Sequence, residues 1–137
     1  MAWDEVVGGM DVVGAVRDLH EDLAAWLGSA AGEEVWERFA GAQHSEFTMV
    51  GVEGTVVSRE ALLLALREAR NAVPGLRIEV DEVDVLNRVG GTVVVRFREV
   101  HRSAAGVHGR RVTAVLVGEG GGYLWHSVHE TAIEMGG

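Results

Sequence analysis

The spacing of apolar residues changes about halfway along this chain of 137 residues. Up to about residue 74, apolar side chains recur mainly every three or four positions, which is the spacing of amphipathic helices. From Leu76 onward they alternate with polar side chains, which is the spacing of strands with one buried face. A mostly helical half followed by a strand-rich half predicts an α+β domain with helices gathered over one face of an antiparallel sheet.

Two helices are predicted before the first strand. The first runs along the apolar positions 12, 16, 19, 23, 26 and 27, with Asp11 as its N-cap and Gly28 at its end. The second is short: it begins at Glu33, whose acidic side chain suits a helix N-terminus, and it stops at Gly41.

The segment "SEFTMVGVEGTVVS" predicts two short strands separated by glycines, and a third helix follows it. Ser58 is placed to cap this helix, and Asn71 and Pro74 are expected to terminate it.

Four further strands are predicted as a meander. In "LRIEVDEVDVL" the apolar parity changes midway, so a β-bulge near Asp81 and Glu82 is needed to keep the apolar side chains on one face. A Gly90-Gly91 turn leads to "TVVVRFREVHR", a loop over residues 103–109 leads to "RRVTAVLV", and "GEGGG" leads to "YLWHSVHETAI". Long, bulged strands curve a sheet, and a curved sheet covered by three helices from the N-terminal half makes a cone with a pocket at its open end. We expect one domain over residues 1–137, with residues 1–10 as a loose N-terminal arm.

Composition excludes several classes of function. The chain has no cysteine, and its 12 basic residues are all arginine, which excludes thiol nucleophiles, thiolate metal sites, lysine Schiff bases and a phosphate-binding P-loop. A net charge of -9 disfavours nucleic acid as a partner. No apolar run approaches the roughly 20 residues that span a bilayer, so no membrane partner is expected. The N-terminus lacks the basic region of a signal peptide, and we therefore expect a cytoplasmic protein.

The segments "FTMVGVEGTVVSREALLLAL", "GGTVVVRFREVHR" and "WHSVHET", in this order, resemble the nuclear transport factor 2-like superfamily. The likeness covers residues 11–133 and is nearest to the small bacterial proteins related to SnoaL-like polyketide cyclases and ketosteroid isomerases. It implies a conical α+β fold, a pocket for a hydrophobic small molecule, and a homodimer formed through the outer face of the sheet. Isomerase-type members carry a catalytic aspartate where this chain has Gly51, and the single tyrosine, Tyr123, lies near a turn.

The segment "HSVHET" (residues 126–131) looks at first like a metal site, because two histidines stand three apart beside a glutamate. On a strand, however, neighbouring side chains point to opposite faces, so His126 and His129 diverge. A zinc motif with two histidines on one side requires a helix. We therefore expect no metal ion and no cofactor, and we place His129 on the same face as Tyr123 and Trp125.

The strand 92–102 offers candidates on both of its faces. Glu99 and His101 share the face of the apolar Val93, Val95 and Phe97, which makes them candidates for the pocket rim. The other face carries Arg96 and Arg98; either could hold a ligand's carboxylate, or both could belong to a solvated or interfacial arginine ladder. His20 lies one position from the apolar stripe of the first helix, and His44 precedes the first strand.

These candidates give two functional hypotheses. In the first, the protein is an acid/base isomerase or cyclase acting on a hydrophobic, polyketide-like molecule, with His129 or His101 moving a proton and Arg98 steadying negative charge. In the second, it is a non-catalytic ligand-binding or dimeric scaffold module. A pocket with a histidine hydrogen-bonded to a carboxylate favours the enzyme, and a cone filled by aromatic side chains favours the scaffold. The predicted ligand-binding residues are Trp36, Phe39, Met49, Arg96 and Trp125.

Overall fold

The computed structural model of the chain describes residues 11–135, so the predicted N-terminal arm lies outside the described residues. Three helices are present: α1 (Val12–Gly28), α2 (Glu33–Gly41) and α3 (Arg59–Glu68). The six strands are β1 (Gln43–Val50), β2 (Val56–Ser58), β3 (Arg77–Val89), β4 (Thr92–Ser103), β5 (Gly106–Glu119) and β6 (Gly122–Ile133).

The helix ends follow their local chemistry. The carboxylate of Asp11 accepts a hydrogen bond from the backbone N–H of Gly14, and the hydroxyl of Ser58 accepts one from the N–H of Ala61 at 3.2 Å. These side chains satisfy N–H groups that have no partner within the first turn of a helix. The predicted caps of α1 and α3 are therefore confirmed, although α3 ends at Glu68, ahead of Asn71 and Pro74.

The strands form one curved, unclosed sheet in the order β2-β1-β6-β5-β4-β3. All neighbours are antiparallel except β1 and β6, which run parallel. The connection between them is long, because β2, the helix α3 and the strands β3 to β5 separate them in the chain. The helices cover the concave face, and the shared core includes Val12 and Val16 of α1, Phe97 of β4 and Trp125 of β6. The predicted α+β class, with three helices over a curved sheet, is confirmed.

Two details of the strands bear on the site. The predicted bulge in β3 is confirmed: the pairing with β4 shifts between Asp81 and Asp84, and Glu82 takes a φ of 52°. The predicted loop over residues 103–109 is wrong. β4 and β5 instead pair up to Ser103 and Gly106, so that His101 lies directly opposite His108.

No helix within residues 11–135 is both long enough and apolar enough to cross a membrane.

Candidate functional site

A cavity of about 460 Å³ lies between the concave face of the sheet and the helices. All three helices and strands β1, β4, β5 and β6 contribute to its wall. Most of the wall is apolar, with Leu19, Leu23, Phe39, Phe47, Met49 and Leu66 among its residues. The volume falls within the range of roughly 300–1,000 Å³ typical of pockets for small organic molecules.

A buried carboxylate held between two histidines is one polar feature of this wall. Glu99 of β4 is 2% exposed. Its Oε1 lies 2.5 Å from Nε2 of His101, and its Oε2 lies 3.1 Å from Nε2 of His20 on α1. All three residues line the cavity, and we refer to them as the histidine–glutamate triad. The alternation of β4 aims Glu99 and His101 inward on the face of Phe97.

The backbone of α1 determines where the His20 ring carries its protons. Nδ1 of His20 lies 2.7 Å from the carbonyl oxygen of Val16, one helical turn earlier, and must donate to it. With Nδ1 protonated, Nε2 donates to Glu99 only if the ring is an imidazolium. The alternative, a neutral ring that accepts from a protonated Glu99, is opposed by the pKa directions of both groups, so the pair is a buried cation beside a buried anion.

The pKa values of the pair agree with this assignment. Burial works against the charged form of His20, but the hydrogen bond and the negative charge of Glu99 raise its pKa above the ordinary value. Burial likewise opposes the charged form of Glu99, but the hydrogen bonds from His101 and His20 lower the pKa of Glu99 well below its usual range. A carboxylate that is ionised at neutral pH then orients the His101 ring by accepting its Nε2–H, which leaves the lone pair on Nδ1.

A second ion pair stands on the same wall. Arg110 of β5 donates from Nη1 to Oε1 of Glu130 on β6, at 3.0 Å. Glu130 is 8% exposed. Burial and the negative charge of Glu99 raise its pKa, and these effects outweigh the opposing influence of Arg110. The cavity wall thus carries a guanidinium hydrogen-bonded to a carboxyl group whose pKa is raised.

A buried amide on the wall has an unused acceptor. Gln43 of β1 is 6% exposed and lines the cavity. Within the described residues, its Oε1 has no hydrogen-bond partner. Buried polar groups are nearly always paired. We therefore expect this oxygen to accept a hydrogen bond from a donor on a bound ligand.

Four of the residues predicted for the site do line the cavity: His101, Phe39, Met49 and Trp125. Their predicted roles as catalytic or ligand-binding groups stay predictions. Trp36 packs beside the cavity residue Phe39, with ring centroids 6.1 Å apart, but it does not line the wall.

His129 lies on the outside of the sheet, and its predicted place on the face of Trp125 is wrong. The pairing of β5 with β6 shifts where Val115 faces Ser127 and Leu116 faces Trp125, so His126 is the extra residue of a β-bulge. Past this bulge the inward positions are Val128 and Glu130, and the His129 side chain is exposed.

Arg96 and Arg98 also lie outside the cavity, so the alternative of an outward arginine ladder describes them. Arg98 donates to both carboxylate oxygens of Asp81, at 2.7 and 2.5 Å, and Arg96 lies 3.9 Å from Asp84. Both acids belong to the neighbouring strand β3. The guanidinium that does line the cavity is Arg110.

Sequence reasoning missed the roles of His20, Arg110 and Glu130. The position of His20 beside the apolar stripe of α1 was a usable signal, because a polar residue next to such a stripe is turned partly toward the core. Arg110 shares the parity of Val112 and Ala114, which indicates an inward position on β5. Glu130 had no such signal, because the bulge at His126 reverses the parity that precedes it.

The fold of this chain is similar to those of several solved protein structures. No protein-family model and no curated protein sequence matches the chain. An NTF-2 like protein of unknown function from Pseudomonas aeruginosa superposes with a TM-score of 0.83 at 27% identity, over 87% of this chain and 95% of that one. A provisionally named dehydratase of the NTF2-like family from Streptomyces avermitilis gives 0.71 at 15% identity, over 88% and 92%. An NTF2-like protein from Cytophaga hutchinsonii gives 0.68 at 16% identity, over 90% and 100%. The chain therefore has the nuclear transport factor 2-like fold and belongs to that superfamily.

Proposed function

We propose that the cavity binds a small, largely apolar organic molecule and that the Glu99–His101 pair catalyses a proton transfer on it, as in an isomerisation, a dehydration or a cyclisation. The observation that carries the proposal is the histidine–glutamate triad on the wall of a mostly apolar cavity. This is the arrangement that favours an enzyme over a filled scaffold. A polyketide-like compound with a carbonyl group fits the proposal.

The general base in this mechanism is Nδ1 of His101. Glu99 holds the ring by accepting its Nε2–H, which fixes the tautomer that has a lone pair on Nδ1. Taking a proton from carbon next to a carbonyl group would make His101 an imidazolium, which the Glu99 carboxylate stabilises. The same ring then returns the proton elsewhere on the substrate, so no proton is gained or lost overall.

His20 acts as a positioning residue in this scheme. Its imidazolium neutralises the second oxygen of Glu99, and its Nδ1–H is tied to the backbone of α1. Glu99 therefore stays ionised and fixed while His101 changes its protonation state.

Arg110 and Gln43 are suited to holding the polar end of the substrate. A guanidinium on the cavity wall stabilises the negative charge that develops on a carbonyl oxygen when the neighbouring carbon loses a proton. The unpaired Oε1 of Gln43 accepts from a hydroxyl or N–H donor. The likeness to the Streptomyces avermitilis protein supports a fold compatible with such chemistry.

Hydrogen–deuterium exchange at carbon tests the proposal without knowledge of the substrate. Cyclic ketones and polyketide-like aromatic ketones that raise the melting temperature are incubated with the protein in D₂O, and loss of their α-proton signals is followed by NMR. We expect the wild type to accelerate exchange of at least one compound. His101→Gln should lower that rate by about 10²–10⁴-fold, which is the usual contribution of a general base.

The matched control is His129→Gln, the same substitution at an exposed histidine on the outer face. It should exchange at the wild-type rate. Equal rates for the wild type and His101→Gln would overturn the catalytic proposal. If compounds raise the melting temperature but none of them exchanges its α-protons, the result would support the alternative, a non-catalytic ligand-binding module.

A further inference from the structure

Three metal-ligating side chains meet on the outer face of the sheet, away from the cavity. They are His44 and Glu46 of β1 and His126 of β6. Each offers a ligand atom, and these atoms all lie within 4.8 Å of one another. Gln43 and Phe47, also on β1, point the other way, into the cavity.

Strand geometry explains why the three side chains converge. His44 and Glu46 are two positions apart on β1 and therefore point to the same face. β6 lies beside β1 in the sheet. His126 follows the inward Trp125 and points outward there, with the His44 and His126 ring centroids 5.0 Å apart. The pair that suggested a metal site in the sequence was His126 with His129, whereas the fold supplies His44 in place of His129.

We propose that His44, Glu46 and His126 form a surface binding site for a divalent transition-metal ion of the zinc type. Two imidazoles and one carboxylate suit Zn²⁺, Ni²⁺ or Cu²⁺ and do not suit Mg²⁺, which prefers oxygen ligands alone. Three protein ligands leave a coordination position for water.

The distances allow the site to close around an ion. Donors bonded to zinc at about 2.0–2.1 Å lie about 3.3 Å apart, so the present separations must shrink by about 1.5 Å at most. Glu46 is exposed, and the two histidines are half-buried. The backbone N–H of Glu46 donates to Nδ1 of His44 at 3.0 Å. An ion bound through Nε2 would therefore require the ring proton to move to Nδ1 and this hydrogen bond to break.

Zinc titration of the tag-free, full-length protein tests the site. After removal of metals by chelation, ZnCl₂ is added in a calorimeter, and MgCl₂ serves as the comparison ion. We expect Zn²⁺ to bind and Mg²⁺ not to. His44→Gln and His126→Gln should each weaken Zn²⁺ binding by more than about tenfold, because changes even in the outer shell of a metal site weaken it by about 10–100-fold.

Two further substitutions separate this site from the remaining histidines. His129→Gln, on the same strand as His126, and His108→Gln, opposite His101, should bind Zn²⁺ like the wild type. The proposal is overturned if the wild type binds no Zn²⁺. It is also overturned if only His108→Gln weakens binding.

An NMR measurement on the wild type tests the site even if a histidine variant fails to fold. Substoichiometric Cu²⁺ should broaden the imidazole NMR signals of His44 and His126 ahead of those of His108 and His129. Uniform broadening of all four would contradict the proposal.

Discussion

The ion pair between Glu99 and His20 places two charges in the interior, where each alone would be strongly unfavourable. Both side chains are almost fully buried, at 2% and 5% exposure. Each charge is compensated because His101 and the carbonyl oxygen of Val16 complete the hydrogen bonds of the pair. Such a pair contributes little relative to an apolar replacement, but breaking one side leaves the other charge unpaired.

We predict that Glu99→Gln destabilises the fold by about 3–5 kcal/mol at pH 6, the usual consequence of leaving a buried charge without its partner. Urea unfolding followed by circular dichroism measures the effect. The matched control is Glu37→Gln on α2, where the side chain is exposed and the change should stay within about 0.5 kcal/mol.

The pH dependence of that difference follows from the pKa shifts of the pair. Burial lowers the folded-state pKa of His20, but the hydrogen bond that its Nε2–H donates to Glu99 outweighs burial and raises the pKa above 6.5. The contribution of His20 is therefore complete below pH 6.5 and is lost as the pH rises through the raised value. The histidine hydrogen bonds outweigh burial and lower the folded-state pKa of Glu99 below 4.5, so its contribution is present above pH 4.5 and is lost as the pH falls. The stability gap between wild type and Glu99→Gln should therefore be widest between pH 4.5 and 6.5. A gap independent of pH would show that the pair is not ionised.

At the scale of elements, single extra residues decide which side chains enter the cavity. The bulge in β3 keeps the apolar residues of one strand on one face, and the bulge in β6 replaces His129 with Glu130 as an inward residue. The end of α1 is positioned by a contact with the segment that precedes β3. Gly28 packs directly against the backbone of Leu76, and its carbonyl oxygen accepts from the N–H of Gly75 at 2.8 Å.

We predict that Gly28→Ala destabilises the protein by about 1–3 kcal/mol, the usual effect of overpacking. The added Cβ would lie 2.8 Å from the backbone nitrogen of Leu76 and 2.9 Å from its oxygen, so the two segments must separate. Thermal unfolding measures the loss. Gly41→Ala, the same change at the end of α2, has no atom within 4 Å of the new Cβ and should be neutral or stabilising. Equal stability of the two variants would contradict this account of the α1 terminus.

At the scale of the whole molecule, the sheet has one face covered by helices and one face without such cover. Four half-buried apolar side chains adjoin on the outer face: Val94 pairs with Val115, and Val117 pairs with Leu124, across β4, β5 and β6. The resemblance to nuclear transport factor 2-like proteins implies a homodimer through this face, and apolar side chains there suit such an interface. The dimer stays a prediction.

We predict that the protein elutes as a dimer, at twice the chain mass of 14.7 kDa, in size-exclusion chromatography with light scattering. Val115→Glu should shift it to the monomer, because a carboxylate in the middle of an apolar interface would be left unpaired. Leu64→Glu on α3, a change at a side chain that is 65% exposed, should leave the mass unchanged. If the wild type elutes with the mass of a monomer, the prediction is wrong.

The sequence determined the elements of this protein and the face that each one buries for most of its length. Asp11 and Ser58 cap their helices through contacts within a few residues, and the parity change at Asp81–Glu82 required its bulge. These features depend on residues that are close together in the chain, so the sequence alone is enough to predict them. For the same reason, the alternation of β4 placed Glu99 and His101 together.

Tertiary structure alone decided which distant residues meet. His20 reaches Glu99 across 79 positions of the chain because α1 lies on the concave face of the sheet. His44 meets His126 because β1 inserts beside β6. The bulge at His126 arises from pairing with neighbouring strands, and the parity of "HSVHET" alone cannot show it. Side-chain alternation is fixed within a strand, whereas the partner across the cavity and the position of an extra residue are fixed by packing between strands.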